Sequence, residues 1–232
     1  MQLSTAGVSP AFFYPARSRR DACGTLIARL AFGRLASACY LMTERLILAS
    51  ASPRRRELLA ELGARFDVVV ADVIEHEDPA LDPRIMVARN SALKADWVAA
   101  RHPEAWVLGA DTTVFIDGHA LNKPADAAEA RAMLRRLSGR THTVFTGVAL
   151  RHATLGVAEN LGVASEVDFH ALTDERIAAY LARVHVFDKA GGYAIQEQEI
   201  PLVAAWRGEM SNIMGLPQTE VRELLTRHAV LS

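Results

Sequence analysis

Ser50-Ala51-Ser52-Pro53-Arg54-Arg55-Arg56 brings two hydroxyls and three guanidiniums into one short segment, directly after the apolar run Arg45–Ala49. Ser52 is a good helix N-cap, and Pro53 suits the first helical position. A helix N-terminus presents free N–H groups and a partial positive charge, which together suit a phosphate. Arginine adds forked donors that match phosphate oxygens. Solvated arginines on a capped helix are the plain alternative, yet cations at a helix start oppose its dipole unless an anion offsets them. The sequence has no GxxxxGK[ST], so this is not a P-loop.

Other segments offer complementary chemistry. Gly109-Ala110-Asp111-Thr112 reads as a strand end in which two small residues let the backbone come close to a ligand. Asp111 could hold Mg²⁺ there; taken alone, it reads first as a turn cap. Lys123 follows a hairpin, where its charge could meet a phosphate. Glu75 lies in an acidic loop with Glu77 and Asp78, and Lys94 stands on the helix that follows. Ser138–His142 reads as a helix-to-strand turn. In Asp188-Lys189-Ala190-Gly191-Gly192-Tyr193-Ala194-Ile195-Gln196, two glycines beside charged groups suggest either close approach to a ligand or a core-facing loop. The histidines are scattered, without HExxH or a defensible Ser/His/Asp order, so neither a zinc protease nor an acyl-enzyme is indicated.

The elements that must position these residues mix strands and helices. Strands are expected at Arg45–Ala49, Phe66–Val70, Trp106–Gly109, Thr113–Ile116, Thr141–Arg151 and Val163–His170. Helices are expected from Pro53 to Gly63, from Asp82-Pro83 to about Arg101, from Asp126 to Gly139, and from Thr173 to about Arg183. Asp117-Gly118 is a hairpin turn. Two or three short strands then lead to Gly215-Leu216-Pro217, where the last helix begins. Strict βαβ alternation is missing, so the fold class is α/β, a mixed twisted sheet with flanking helices rather than a regular doubly wound fold.

Composition narrows the function classes. Half of the 232 residues are hydrophobic and 23% are charged, with a net charge of −1, so no global field points to nucleic acid or an acidic membrane. The sequence has no apolar run of membrane-spanning length. Cys23 and Cys39 form neither a zinc motif nor a disulfide framework, which fits a cytoplasmic protein.

In their order and spacing these segments resemble the Maf family of nucleotide pyrophosphatases. The resemblance runs from about Arg45 to Leu225. It is carried by Leu48–Arg55, Gly109–Thr112, Lys123-Pro124, Leu137–His142 with Thr146-Gly147-Val148, Asp188–Gly191, and Gly215-Leu216-Pro217. It implies an elongated, two-lobed fold of the Maf and ITPase type with a central cleft, often dimeric. It also implies hydrolysis of nucleoside triphosphates at the α–β bond with a divalent metal, Mg²⁺ or Mn²⁺. On this chain, Ser50, Ser52, Arg54, Arg55 and Thr112 resemble the substrate-contacting set. Glu75, Lys94, Asp111 and Lys123 resemble the catalytic set, with Asp111 and Glu75 on the metal side and Asp111 alternatively the base that activates water. Gln196 stands where the branch preferring dTTP and UTP has a base-side glutamine. Ala194 and Glu197 replace glycines commoner in that branch, and Glu197 adds a charge beside the base position. A purine or 7-methyl-GTP preference, and a nucleotide-binding regulator of cell division, stay open as alternatives.

Residues 1–42 read differently from the rest. They hold Arg17, Arg19, Arg20, Arg29 and Arg34, no lysine, and Asp21 as their one acid. Either this is an arginine-rich targeting segment, or translation starts at Met42 and the domain is 43–232; the second reading is preferred. Part of the segment, about 24–42, could form a helix. Removal of residues 1–41 is expected to leave turnover unchanged. A large loss of folding or turnover in the truncated protein would contradict the start at Met42.

Overall fold

The computed structural model describes residues 45–78, 81–197 and 199–231. The segment 1–42, with its expected helix and the start at Met42, lies outside the described residues. Strand β1 (Leu46–Leu48) leads into helix α1 (Pro53–Glu61), then β2 (Phe66–Val68) and the long helix α2 (Pro83–Ala99). Strands β3 (Trp106–Ile116) and β4 (His119–Leu121) form a hairpin, followed by α3 (Ala127–Leu137), β5 (Thr141–His152) and β6 (Val157–Phe169). Helix α4 (Asp174–Arg183), a 3₁₀ turn at Ala190–Gly192, β7 (Val203–Arg207), α5 (Met210–Met214) and α6 (Gln218–Arg227) complete the order.

The strands make one mixed sheet in the order β2-β1-β3-β5-β6-β7, with β4 added beside β3. The pairs β1–β2 and β1–β3 are parallel, and the remaining pairs are antiparallel. Helix starts follow the expected chemistry: Ser52, Asp82, Asp126 and Thr173 each accept a backbone N–H at the N-terminus they cap. Asp117 and Gly118, at φ 53° and 75°, turn β3 into β4.

Three expectations need correction. Trp106–Gly109 and Thr113–Ile116 are not two strands but one, because β5 pairs with β3 from Val107 to Phe115 and carries the backbone straight through the polar residues. Gly109-Ala110-Asp111-Thr112 is therefore mid-strand, not a strand end. The stretch before Gly215 holds one strand and a short helix, β7 and α5, in place of two or three strands. Lastly, β6 begins at Val157, earlier than expected.

Strand alternation sorts the core. On one face Leu46, Leu48, Leu108, Ala110, Val148 and Leu150 pack under α1 and α6. Farther along that same face Val114, Ile116 and Val144 pack with α3, α4 and Tyr193. Between these two clusters stand Thr112 and its partner across the strands, Thr146. The hydroxyl pair is thus the seam between two lobes. On the other face Ile47, Ala49, Val107 and Ala149 pack against α2.

Helix α2 lies unusually close to the sheet. A Cβ on Gly109 would meet the Ser91 carbonyl oxygen at 2.4 Å and the Ala95 Cβ at 2.9 Å, and one on Gly147 would meet Val87 and Ser91 at 3.1 Å. The small residue at 109 admits a helix, not a ligand as the sequence suggested. Gly109→Ala is expected to lower unfolding free energy in urea by about 1–3 kcal/mol, the range for overpacking a filled interior. A change under about 0.5 kcal/mol would contradict this packing.

His142 is buried, with Nε2 2.8 Å from the Tyr193 hydroxyl. Burial pushes its pKa from 6.5 down to about 4, with Asp168 opposing. The folded value lies below the unfolded one, so this site's stability contribution is complete above about pH 6.5 and lost as pH falls toward 4. The urea midpoint is expected to fall across that window less steeply in His142→Phe; an unchanged slope would contradict it.

Candidate active site

The outer edge of β3 has an interruption. Strand β1 pairs with it as far as Leu108, and β4 pairs from Val114 onward. Between them, among the described residues, Gly109–Thr113 has a strand neighbour only on the β5 side. A cleft of about 800 Å³ opens at this gap. Ser50, Ser52, Arg54, Arg55, Glu75, Lys94, Asp111, Thr112, Lys123 and Gln196 all line it, so the structure brings together every site residue selected from the sequence. Arg56 does not line it and stands exposed on α1.

Because neighbouring strand residues face opposite ways, Asp111 and Thr112 serve two different halves of the cleft. Asp111 faces α2. There the Lys94 ammonium donates to Asp111 Oδ1 at 2.8 Å and to Glu75 Oε2 at 2.7 Å. The Lys94 and Asp111 side chains keep only 11% and 14% of their surface, against 37% for Glu75. Asn90, one turn before Lys94, donates to Asp111 Oδ2 at 3.2 Å. Its amide also exchanges hydrogen bonds with the His76 backbone at 2.8 and 3.1 Å, which fixes the loop bearing Glu75. Asn90 was missed in the sequence; an amide spaced four residues from Lys94 on one helix face was the available signal.

Thr112 faces the α1 side. Its hydroxyl accepts from Arg55 Nη2 at 2.9 Å, while Arg55 Nη1 donates to Ser50 Oγ at 3.2 Å and Nε to the Gly215 carbonyl at 2.8 Å. All three acceptors are neutral. Burial lowers the Arg55 pKa, and the negative charges of Asp111 and Glu75 oppose that shift. Ser52 Oγ accepts from the Arg55 backbone N–H, so this serine caps α1 while lining the cleft.

Across the cleft, Arg54 lies 3.9 Å from Asp188. Burial pushes the Asp188 carboxyl up, but the hydrogen bond and charge of Lys189, with Arg54, hold it below the usual range. Tyr193–Gln196 forms part of the same wall. The Tyr180 hydroxyl accepts the Ala194 N–H at 2.8 Å, and Ala194 has no positive φ, so glycine is not required there. Glu197 does not line the cleft, and its carboxylate accepts the Glu199 N–H at 2.8 Å.

The arrangement can bind a polyanion along Arg54, Arg55 and Lys123 and hold a cation or a water at Asp111 and Glu75. Among the described residues no helix is long and apolar enough to cross a membrane.

A dTTP/UTP pyrophosphatase from Myxococcus xanthus (strain DK1622) is 50% identical over 184 residues, covering 78% of this chain and 91% of that protein. Another protein of that name, from Akkermansia muciniphila, is 47% identical over 179 residues, covering 77% and 94%. Among solved structures, a HAM1 protein from Coxiella burnetii is 18% identical with TM-score 0.49, covering 79% of this chain and 99% of that one. The family described as Maf-like protein matches residues 45–228, and with relatives this similar over nearly their full length, the chain belongs to that family.

Proposed function

We propose that this chain is a cytoplasmic, metal-assisted pyrophosphatase that hydrolyses dTTP and UTP at the α–β bond, releasing the monophosphate and pyrophosphate. The observation that carries the reading is the meeting of two charge groups in one cleft: Arg54, Arg55 and Lys123 beside the Lys94–Glu75–Asp111 cluster. The relatives named dTTP/UTP pyrophosphatase support it.

A triphosphate carries about four negative charges, and its cleavage needs fixed positive groups where charge develops. Arg54, Arg55, Lys123 and the α1 N-terminus meet that need. Lys94 and Asn90 fix the direction of Asp111. Asp111 accepts a proton from water as the new O–P bond forms. The bridging P–O bond breaks, and pyrophosphate leaves toward the arginines.

Among the described residues no three His, Cys, Asp or Glu side chains converge as a metal cage. Asp111 and Glu75 do converge on one cation, the Lys94 ammonium. Asp111 and Glu75 would be the residues to hold Mg²⁺ or Mn²⁺, cations that favour carboxylate oxygens. Bound by them, the metal would draw charge from the phosphoryl oxygens.

Gln196 is compatible with the pyrimidine preference. Its amide offers N–H and C=O side by side, the complement of the O4 and N3–H edge common to thymine and uracil, although guanine presents the same acceptor–donor pair at O6 and N1–H. Glu197 does not oppose this, because its carboxylate serves a backbone turn outside the cleft.

Pyrophosphate release should be followed from dTTP, UTP, CTP, GTP and 7-methyl-GTP, with Mg²⁺ or Mn²⁺ and with EDTA. Metal-dependent release from dTTP and UTP is expected. Release mainly from a purine would keep the reaction and overturn the Gln196 reading; no release from any would favour a nucleotide-binding regulator. Lys123→Ala is expected to lower turnover at least about tenfold, and near-normal turnover would remove Lys123 from the catalytic set.

A further inference from the structure

The hydroxyls behind Arg55 form a chain whose direction can be derived. Arg55 Nη2 can only donate, so Thr112 Oγ1 accepts from it. Thr112 keeps one proton for Thr146 Oγ1 at 2.9 Å or the Gly215 carbonyl at 3.4 Å. Thr146 Oγ1 is 3.2 Å from the Asn212 carbonyl, which can only accept. The Thr146 proton therefore goes to Asn212, and its oxygen is left to accept from Thr112. Each hydroxyl accepts one bond and donates one, from Arg55 through Thr112 and Thr146 to the backbone of α5.

The far end of this chain is firmly held. Thr146 and Asn212 are fully buried, and the Asn212 amide donates to Ser165 Oγ at 2.9 Å and to the Val144 carbonyl at 3.4 Å. Helix α5 ends at Gly215, whose φ of 116° suits glycine. The Gly215 carbonyl takes Arg55 Nε directly. The middle of α5, at Asn212, and its C-terminal cap, at Gly215, thus both reach one guanidinium. Three of its five N–H donors are used on neutral acceptors, leaving two and an unneutralised charge for an anion.

We propose that Thr146, which lies outside the substrate-contacting set, is a positioning residue: through Thr112 and α5 it fixes the Arg55 guanidinium fork at the angle at which it meets a phosphate. The inference rests on the reading of Arg55 as a phosphate contact.

The test compares Thr146→Val, which keeps the shape and removes the hydroxyl, with Thr146→Ser, which keeps the hydroxyl. Each is made in the unaltered protein and in Arg55→Ala. Two quantities are read: kcat/KM for dTTP, and calorimetric affinity for α,β-imido-dTTP. Thr146→Val is expected to reduce both by about tenfold, and Thr146→Ser to stay within about threefold. On the Arg55→Ala background Thr146→Val should change either by less than about twofold, because its effect acts through that arginine. Should the valine variant not fold, Thr146→Cys, with a weak donor of similar size, is expected to show the same loss. Normal values in the valine or cysteine variant, or an equal loss on both backgrounds, would overturn the inference. If the unaltered protein turns over no nucleotide, the pyrophosphatase reading fails by itself and the affinity measurement decides the role of Thr146.

Discussion

The site depends on one constraint, the alternation of side chains along a single strand whose middle stretch, among the described residues, is partnered on one edge only. In β3, Asp111 is committed to the α2 face and Thr112 to the α1 face. Because neither β1 nor β4 covers this stretch, both faces open into the same cleft. A register slip of one residue would exchange the carboxylate and the hydroxyl, separating each from its partners. The β3–β5 ladder from Val107 to Phe115 makes such a slip costly.

The two halves of the cleft solve different electrostatic problems. Two carboxylates held close together repel, and a nearly buried ammonium without partners would be strongly destabilising. Lys94 between Glu75 and Asp111 answers both at once. Arg55 is treated in the opposite way: hydroxyls and a carbonyl orient it without cancelling its charge. Preorganised charge of this kind needs little rearrangement when an anion arrives. The close seat of α2 over Gly109 and Gly147 connects these features to the core, since it brings Asn90 and Lys94 down onto Asp111.

Much of this was legible in the residues. Ser52-Pro53 announced α1, Asp117-Gly118 announced the hairpin, and the charged positions picked from separate segments all line one cleft. The errors have physical causes. Gly109-Ala110-Asp111-Thr112 looked like the end of a strand because local pattern cannot register a partner such as β5, which lies far along the chain and carries the strand through a polar stretch. Helix α5 is only five residues long, too short for a helical period to appear. Asn90 and the Thr112–Thr146 seam gain their meaning from contacts between distant segments, which spacing does not report.

The most direct test of the account is Asp111→Asn, a change of charge with almost no change of shape, with dTTP turnover and α,β-imido-dTTP binding measured on the same preparation. If Asp111 takes the proton from water while the arginines hold the phosphates, turnover should fall by about a hundredfold or more, with affinity kept within about tenfold. Turnover close to that of the unaltered protein would contradict the account, because the carboxylate on which β3 centres the cleft would then have no part in the chemistry.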